Sequence, residues 1–205
     1  QYVAKIYRRE LSIKKEVTEK LKRISSPYVA QICEMGEWNG HTVEIMPYYK
    51  LGSLQGRKWT FEQLKDFIIP CLNEGLKAMH EKGIIHKDLK PSNIMITNGG
   101  KGVAIIDFGI SSAVETGNTV IITRTGMTPQ YSAPEAMKGI FLSESDYYSL
   151  GITLYELFYG KTPYDNMPQE EIEKYVSVQR VPFPNGMPQE LKELITAFIF
   201  NVIQI

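Results

Sequence analysis

Cysteine is scarce in this sequence. There are two, Cys33 and Cys71. That is too few for a disulfide framework, so both read as buried thiols in a reducing, cytoplasmic compartment. A surplus of either charge is also missing, since 23 Lys and Arg balance 23 Asp and Glu. Nucleic-acid phosphates are held by a basic surplus, so a nucleic-acid partner is not expected, and neither is a polybasic membrane anchor. No uninterrupted apolar run approaches the roughly 18 residues of a membrane-spanning helix. Internal repeats and low-complexity linkers are absent, and the opening residues do not form a signal peptide. What remains is an ordinary soluble composition, 43% apolar over 205 residues. That is enough for one large domain, or for two small lobes around one cleft.

Hydropathy patterning divides the chain. Residues 1–7 alternate and read as a strand, and 11–24 read as a charged helix. Residues 29–37 and 42–48 read as a strand pair joined at Asn39-Gly40, a strong hairpin signal. Thr60 and Gln63 form a capping box before a helix whose apolar residues recur from Leu64 to Met79. Gly83 ends that helix, and Pro70 inside it predicts a kink. Short strands follow at 84–86, 94–97 and 103–106, the last two joined at Asn98-Gly99-Gly100. A helix capped by Ser143 runs to Gly160, and two more helical patterns begin near Met167 and Met187. Strands come early and helices late, which predicts an α+β protein with two lobes of different class.

The polar motifs fall in a fixed order. His-Lys-Asp-Leu-Lys-Pro-Ser-Asn occupies 86–93, Asp-Phe-Gly 107–109 and Ala-Pro-Glu 133–135. Asp-Tyr-Tyr-Ser-Leu-Gly begins at Asp146, and Val-Ala-Lys-Ile opens the chain at 3–6. Asp-Phe-Gly after a strand is by itself ordinary turn chemistry, and a lone lysine in a strand is ordinarily a solvated one. The order is what carries information. It resembles the protein kinase catalytic domain from Val3 to about Phe200, with the lysine-then-threonine pattern of the serine/threonine class.

The resemblance implies ATP-dependent phosphoryl transfer to serine or threonine hydroxyls of protein substrates, with magnesium as cofactor. It implies that Asp88 orients the attacking hydroxyl and accepts its proton, that Lys90 meets the γ-phosphate, and that Asp107 and Asn93 ligate magnesium. Lys5 would contact the α- and β-phosphates. Ala4 and Met95 would sandwich adenine, Met46 would be the gatekeeper, and Pro47, Tyr48 and Tyr49 the hinge that bonds the adenine edge. Thr128 would lie in the segment that binds the substrate peptide, and Asp146 would hold the catalytic-loop backbone. Lys5 needs a carboxylate partner on the following helix. Counting back from Ser26-Pro27 gives Val17, so Glu16 is the assignment at the expense of one extra residue, with Glu19 as the alternative. The implied domain plan is a partial N-lobe at 1–46, a hinge at 47–50 and a C-lobe at 51–205.

Three departures stand out. No glycine-rich loop precedes Lys5, the catalytic-loop arginine is Lys87, and the arginine that would pair with Glu135 is absent. The expectation is therefore a segment of a longer kinase. Extension by about 25 residues upstream would supply two strands and the loop. A scaffold descended from a kinase and a small-molecule phosphotransferase are the rival readings. The first does not require Lys5, Asp88 and Asp107 together, and the second does not require the Thr128 and Ala-Pro-Glu segment.

Overall fold

Alternation at the start of the chain gives strand β1, Tyr2–Ile6. It pairs antiparallel with β3, His41–Pro47, which pairs in turn with β2, Glu34–Trp38. The computed structural model describes residues 1–8, 15–109, 111–113, 120–121, 127–178 and 181–200. The β2–β3 turn holds Asn39 and Gly40 at φ of 50° and 76°, the left-handed conformation that a two-residue hairpin requires. Helix α1, Lys15–Leu21, turns Val17, Thr18 and Leu21 inward, one face of a helical repeat.

The strand expected at 29–37 begins only at Glu34. Upstream, the backbone of Tyr28 and Ala30 is bonded to Ile105 at 2.9 Å each way, so a tertiary partner claims those groups before the sheet can. Cys71 is buried as expected, whereas Cys33 is exposed. Cys33 precedes β2, where its backbone N–H is bonded to the Ile45 carbonyl at 2.8 Å.

The central helix starts at the predicted cap. Thr60 N–H donates to Gln63 Oε1 at 3.0 Å, and Gln63 N–H to Thr60 Oγ1 at 3.3 Å. It is not one regular helix. A short α2, Phe61–Gln63, passes into a π-helical turn, Leu64–Ile68, and then into α3, Ile69–His80. Pro70 sits in the first turn of α3, where its missing N–H costs least. The wide turn ahead of it absorbs the disruption that was expected as a kink at Pro70 itself. Gly83, at φ 66°, closes the end.

Strand β4, Ile84–Ile85, pairs with β7, Ser112–Ala113, and β5, Ile94–Ile96, pairs with β6, Val103–Ile105. Farther on, β8, Val120–Ile121, pairs with β9, Ile140–Phe141. The rest is helical, with α4 at Pro134–Met137, α5 at Ser143–Tyr159, α6 at Gln169–Val178 and α7 at Gln189–Phe200. Ser143 is the first residue of α5 rather than its cap. The capping contact comes from Ser145, whose hydroxyl accepts the Leu142 N–H at 3.0 Å.

Helix α5 is the core of the helical part. Leu150, Ile152, Leu154 and Leu157 are each at most 1% exposed. Burying each side chain is worth about 1.5–3 kcal/mol. Gly151 lets α7 approach, since a Cβ there would stand 3.2 Å from Ile199 Cγ1. Among the described residues, no helix is long and apolar enough to cross a membrane.

Candidate active site

The 86–93 segment is fixed from beneath by Asp146. That carboxylate is fully buried and accepts the N–H of His86 at 2.8 Å and of Lys87 at 2.9 Å. It also accepts the His80 Nε2–H at 2.8 Å. Burial pushes the Asp146 carboxyl up, but the His80 hydrogen bond and the nearby histidine charges outweigh it and hold the group below its usual range. Lys87 takes φ 73°, a conformation that costs a non-glycine residue energy and that these bonds stabilise. His86 donates through Nε2 to the Ile106 carbonyl at 2.8 Å, and its ring meets Phe108 edge-on at 5.7 Å. One histidine thus ties the 86–93 loop to the Asp-Phe-Gly segment.

Four predicted site residues converge on top of this loop. Lys90 Nζ lies 2.8 Å from Asp88 Oδ2 and donates to Thr128 Oγ1 at 2.6 Å. Thr128 donates onward to Asp88 Oδ1 at 2.7 Å. Asn93 Nδ2 donates to the Asp88 carbonyl at 2.8 Å and to its carboxylate at 3.1 Å. Both carboxylate oxygens of Asp88 are therefore held in place. The Ile106 N–H, bonded to the Asn93 carbonyl at 2.9 Å, carries the chain straight on to Asp107.

Asp107 also sits at positive φ, 66°, and its carboxylate forms an ion pair with Lys5. Burial raises its pKa, but the bond to and charge of Lys5 reverse that, so Asp107 stays ionised below the usual carboxylate range. Strand β1 delivers Lys5, and the β1–β3 register sets Lys5 directly opposite Glu44.

The proposed nucleotide-edge residues are distributed around β3 and β5. Met46 is buried, Pro47 and Tyr49 are half-buried, and Tyr48 is exposed, as is Ala4. Met95 on β5 bridges to Ser53. Asn98 clamps the segment after β3, donating to the Tyr48 carbonyl at 2.8 Å and accepting the Lys50 N–H at 2.9 Å. The Tyr48 N–H is bonded to Gln1 at 3.0 Å.

The pairing of Glu16 with Lys5 is not found. The Glu16 side chain is 66% exposed and lies 3.5 Å from Lys20, while Glu19 pairs with Lys22. The inward position on α1 belongs to Val17, because a helix places only residues three or four apart on one face. The lysine's ion-pair partner is Asp107. Glu44, Tyr7 and His80 belong to no motif in the sequence, yet they join the site. A charged residue in step with the apolar Met46 was the available signal for Glu44, but strand register is not visible in the sequence. Glu135, for which the sequence offers no arginine partner, accepts the Ser145 hydroxyl at 2.6 Å.

The protein kinase domain family model matches residues 3–202. The serine/threonine-protein kinase pkn2 of Myxococcus xanthus is 29% identical over 201 residues, which is 90% of this chain and 24% of that protein. CBL-interacting serine/threonine-protein kinase 8 of Arabidopsis thaliana is 30% identical over 95% of this chain and 46% of its own length. The kinase PknA of Mycobacterium tuberculosis is 40% identical over 58% of this chain and 28% of its own length. The chain thus spans between about a quarter and a half of the length of these relatives. The family match covers nearly all of the chain, including the loop that joins Asp88 to Asn93 and the strand that carries Lys5, so this chain belongs to the protein kinase family.

Proposed function

We propose that this chain transfers the γ-phosphoryl group of ATP to serine or threonine hydroxyls of protein substrates. Residues 1–46 are part of a small β-rich lobe, 47–50 a hinge and 51–205 a larger helical lobe, with the reaction between them. The observation that carries this reading is the hydrogen-bonded cluster of Asp88, Lys90, Asn93 and Thr128. In it the Thr128 hydroxyl already donates to Asp88, as an attacking substrate hydroxyl would have to do.

The geometry supports the following roles. Asp88, fixed at both oxygens, orients the substrate hydroxyl and takes its proton. Lys90, at 2.8 Å from that carboxylate, offsets negative charge at the transferred group. Lys5 reaches the remaining phosphates from β1. With the Tyr48 N–H and carbonyl both engaged, the adenine edge falls to the Pro47 carbonyl and the Tyr49 N–H, between Ala4 and Met95 and beside the gatekeeper Met46. Thr128 also anchors the segment on which the substrate peptide lies.

The donor set suits magnesium. Asp107 offers a carboxylate held ionised, and Asn93 commits its amide nitrogen to Asp88, which leaves the amide oxygen for a hard cation. When bound there, magnesium supplies charge neutralisation across the nucleotide phosphates. ATP as donor and two unpaired cysteines fit a cytoplasmic setting.

Phosphoamino-acid analysis of a generic protein substrate, treated with the intact parent protein and MgATP, should yield phosphoserine or phosphothreonine. Phosphotyrosine as the main product overturns the substrate class, and no transfer at all overturns the activity.

Loop phosphorylation should matter little. Thr116, Thr119, Thr123 and Thr125 lie outside the described residues. A phosphate on any of them would need a cation to dock against. Lys87 offers a point charge where arginine offers a fork, and its ammonium sits 4.8 Å from the centre of the Phe141 ring. Replacing all four threonines with alanine should lower the transfer rate by less than about threefold, the scale of a weak surface interaction. A tenfold loss in a folded variant would show that loop phosphate is required.

A further inference from the structure

Glu44 is a carboxylate at 1% exposure in the middle of a strand, facing the same way as the buried Met46. Such a group is costly unless it is used or well bonded. The Tyr7 hydroxyl donates to its Oε2 at 2.6 Å. Lys5 stands directly opposite it across the β1–β3 ladder, where same-face Cβ atoms lie about 5 Å apart. The Lys5 ammonium lies 4.6 Å from the Tyr7 ring centre, so lysine, tyrosine and glutamate form one packed unit.

Helix α1 cannot supply a partner for Lys5 at the inward position, which is Val17 at 0% exposure. The helix nonetheless docks on this part of the sheet. Thr18 Oγ1 contacts the Met35 sulfur at 3.3 Å, and Met35 is the β2 partner of Glu44 in the ladder. Val17 and Glu44 thus belong to the same layer between helix and sheet. At its inward position the helix carries Val17 rather than a carboxylate, and the buried carboxylate of this layer is Glu44 on the strand beneath.

We propose that Glu44 is the positioning residue for Lys5, holding its ammonium toward the nucleotide phosphates from the neighbouring strand rather than from helix α1. This rests on the kinase reading of Lys5. Asp107 holds the lysine through one carboxylate oxygen in the structure, a bound cation would compete with the lysine for that carboxylate, and Glu44 is the carboxylate directly opposite Lys5 in its own sheet. Burial leaves the Glu44 pKa raised, with the Asp107 charge adding to the rise and the Tyr7 hydrogen bond and the Lys5 charge opposing it. A strand-borne partner has a further consequence. The Lys5–Glu44 relation is set by ladder register, so outward movement of α1 would not break it.

The test is a double-mutant cycle in the intact parent protein, read as nucleotide affinity with and without magnesium and as transfer rate. Glu44→Gln keeps the shape and the acceptor for Tyr7. It should weaken nucleotide binding about 10- to 100-fold, the scale of a lost charge-assisted contact. In a Lys5→Met background the same change should have no further effect, since Glu44 would then have nothing to position. Wild-type affinity in Glu44→Gln, or an equal loss in both backgrounds, would overturn the proposal and leave Glu44 a structural residue. Asp88→Ala is run alongside. If it keeps full transfer, the kinase reading itself has failed, which a normal Glu44→Gln alone would not show. If Glu44→Gln does not fold, Glu44→Met is compared with Glu44→Met plus Val17→Glu. The helix carboxylate should restore nucleotide affinity, and equal affinities would overturn the proposal.

Discussion

Asp88→Ala in the intact protein should bind MgATP normally and lose phosphoryl transfer by a factor of about 100 or more. The expectation comes from the way the carboxylate is held. Asn93 and Lys90 fix one oxygen and Thr128 the other, so the side chain is oriented before any substrate arrives. On the proposed reading, removing it takes away both the proton acceptor and the group that aims the hydroxyl. Nucleotide affinity should be largely spared, because on the proposed reading Lys5 and Asp107, which pair with each other away from Asp88, remain to hold the phosphates and their cation. Asp107→Ala provides the contrast and should lose magnesium-dependent binding as well as transfer. Single-turnover transfer and nucleotide titration on the same preparations separate the two effects. Full transfer by Asp88→Ala would remove Asp88 from the reaction.

Asp146→Ala should destabilise the fold by about 3–5 kcal/mol, the scale for removing one partner of a buried charged network. Two backbone N–H groups, of His86 and Lys87, would lose their acceptor, and His80 would lose its hydrogen-bond partner. Lys87 would also keep its positive φ without the Asp146 bond that now stabilises it. Denaturant unfolding should show the midpoint shift directly. A pH dependence follows from the same carboxylate. Its folded pKa lies below the unfolded value of about 4, so its stabilisation is complete above that range. The contribution is lost as pH falls through the depressed folded value. Wild-type protein should therefore lose stability in acid more steeply than Asp146→Ala, which has no such group to protonate. Equal midpoints at neutral pH would show that the 86–93 loop is held by other contacts.

Much of this was legible in the chain itself. Local rules found the Asn39-Gly40 hairpin and the Thr60 cap, because turn conformation and capping depend on residues a few positions apart. They were weaker where a choice had to be made between partners. Residues 29–33 have strand character, yet Tyr28 and Ala30 bond to Ile105 rather than to the sheet. Ser143 looked like a cap, and Ser145 performs the capping contact because its hydroxyl lies within reach of both Leu142 and Glu135. Pro70 predicts a kink, and the chain instead widens by one π turn just before it.

The sequence by itself determined which residues could do chemistry. Motif order named Asp88, Lys90, Asn93, Asp107 and Thr128, and short covalent spacing within the 86–93 loop largely fixes how Asp88, Lys90 and Asn93 can meet. Tertiary structure decided the pairings that cross the chain. Lys5 meets Asp107 over a separation of 102 residues, and Asp146 bonds His86 over a separation of 60. Glu16 was chosen for Lys5 by charge and proximity in sequence, but helical phase turns it to solvent and puts Val17 inside. Glu44 was invisible because its importance depends on ladder register, and a one-residue slip would have placed it on the opposite face. Burial then gives that register its weight, since a carboxylate facing water would have little hold on Lys5, whereas one shielded at 1% exposure acts through a low local dielectric.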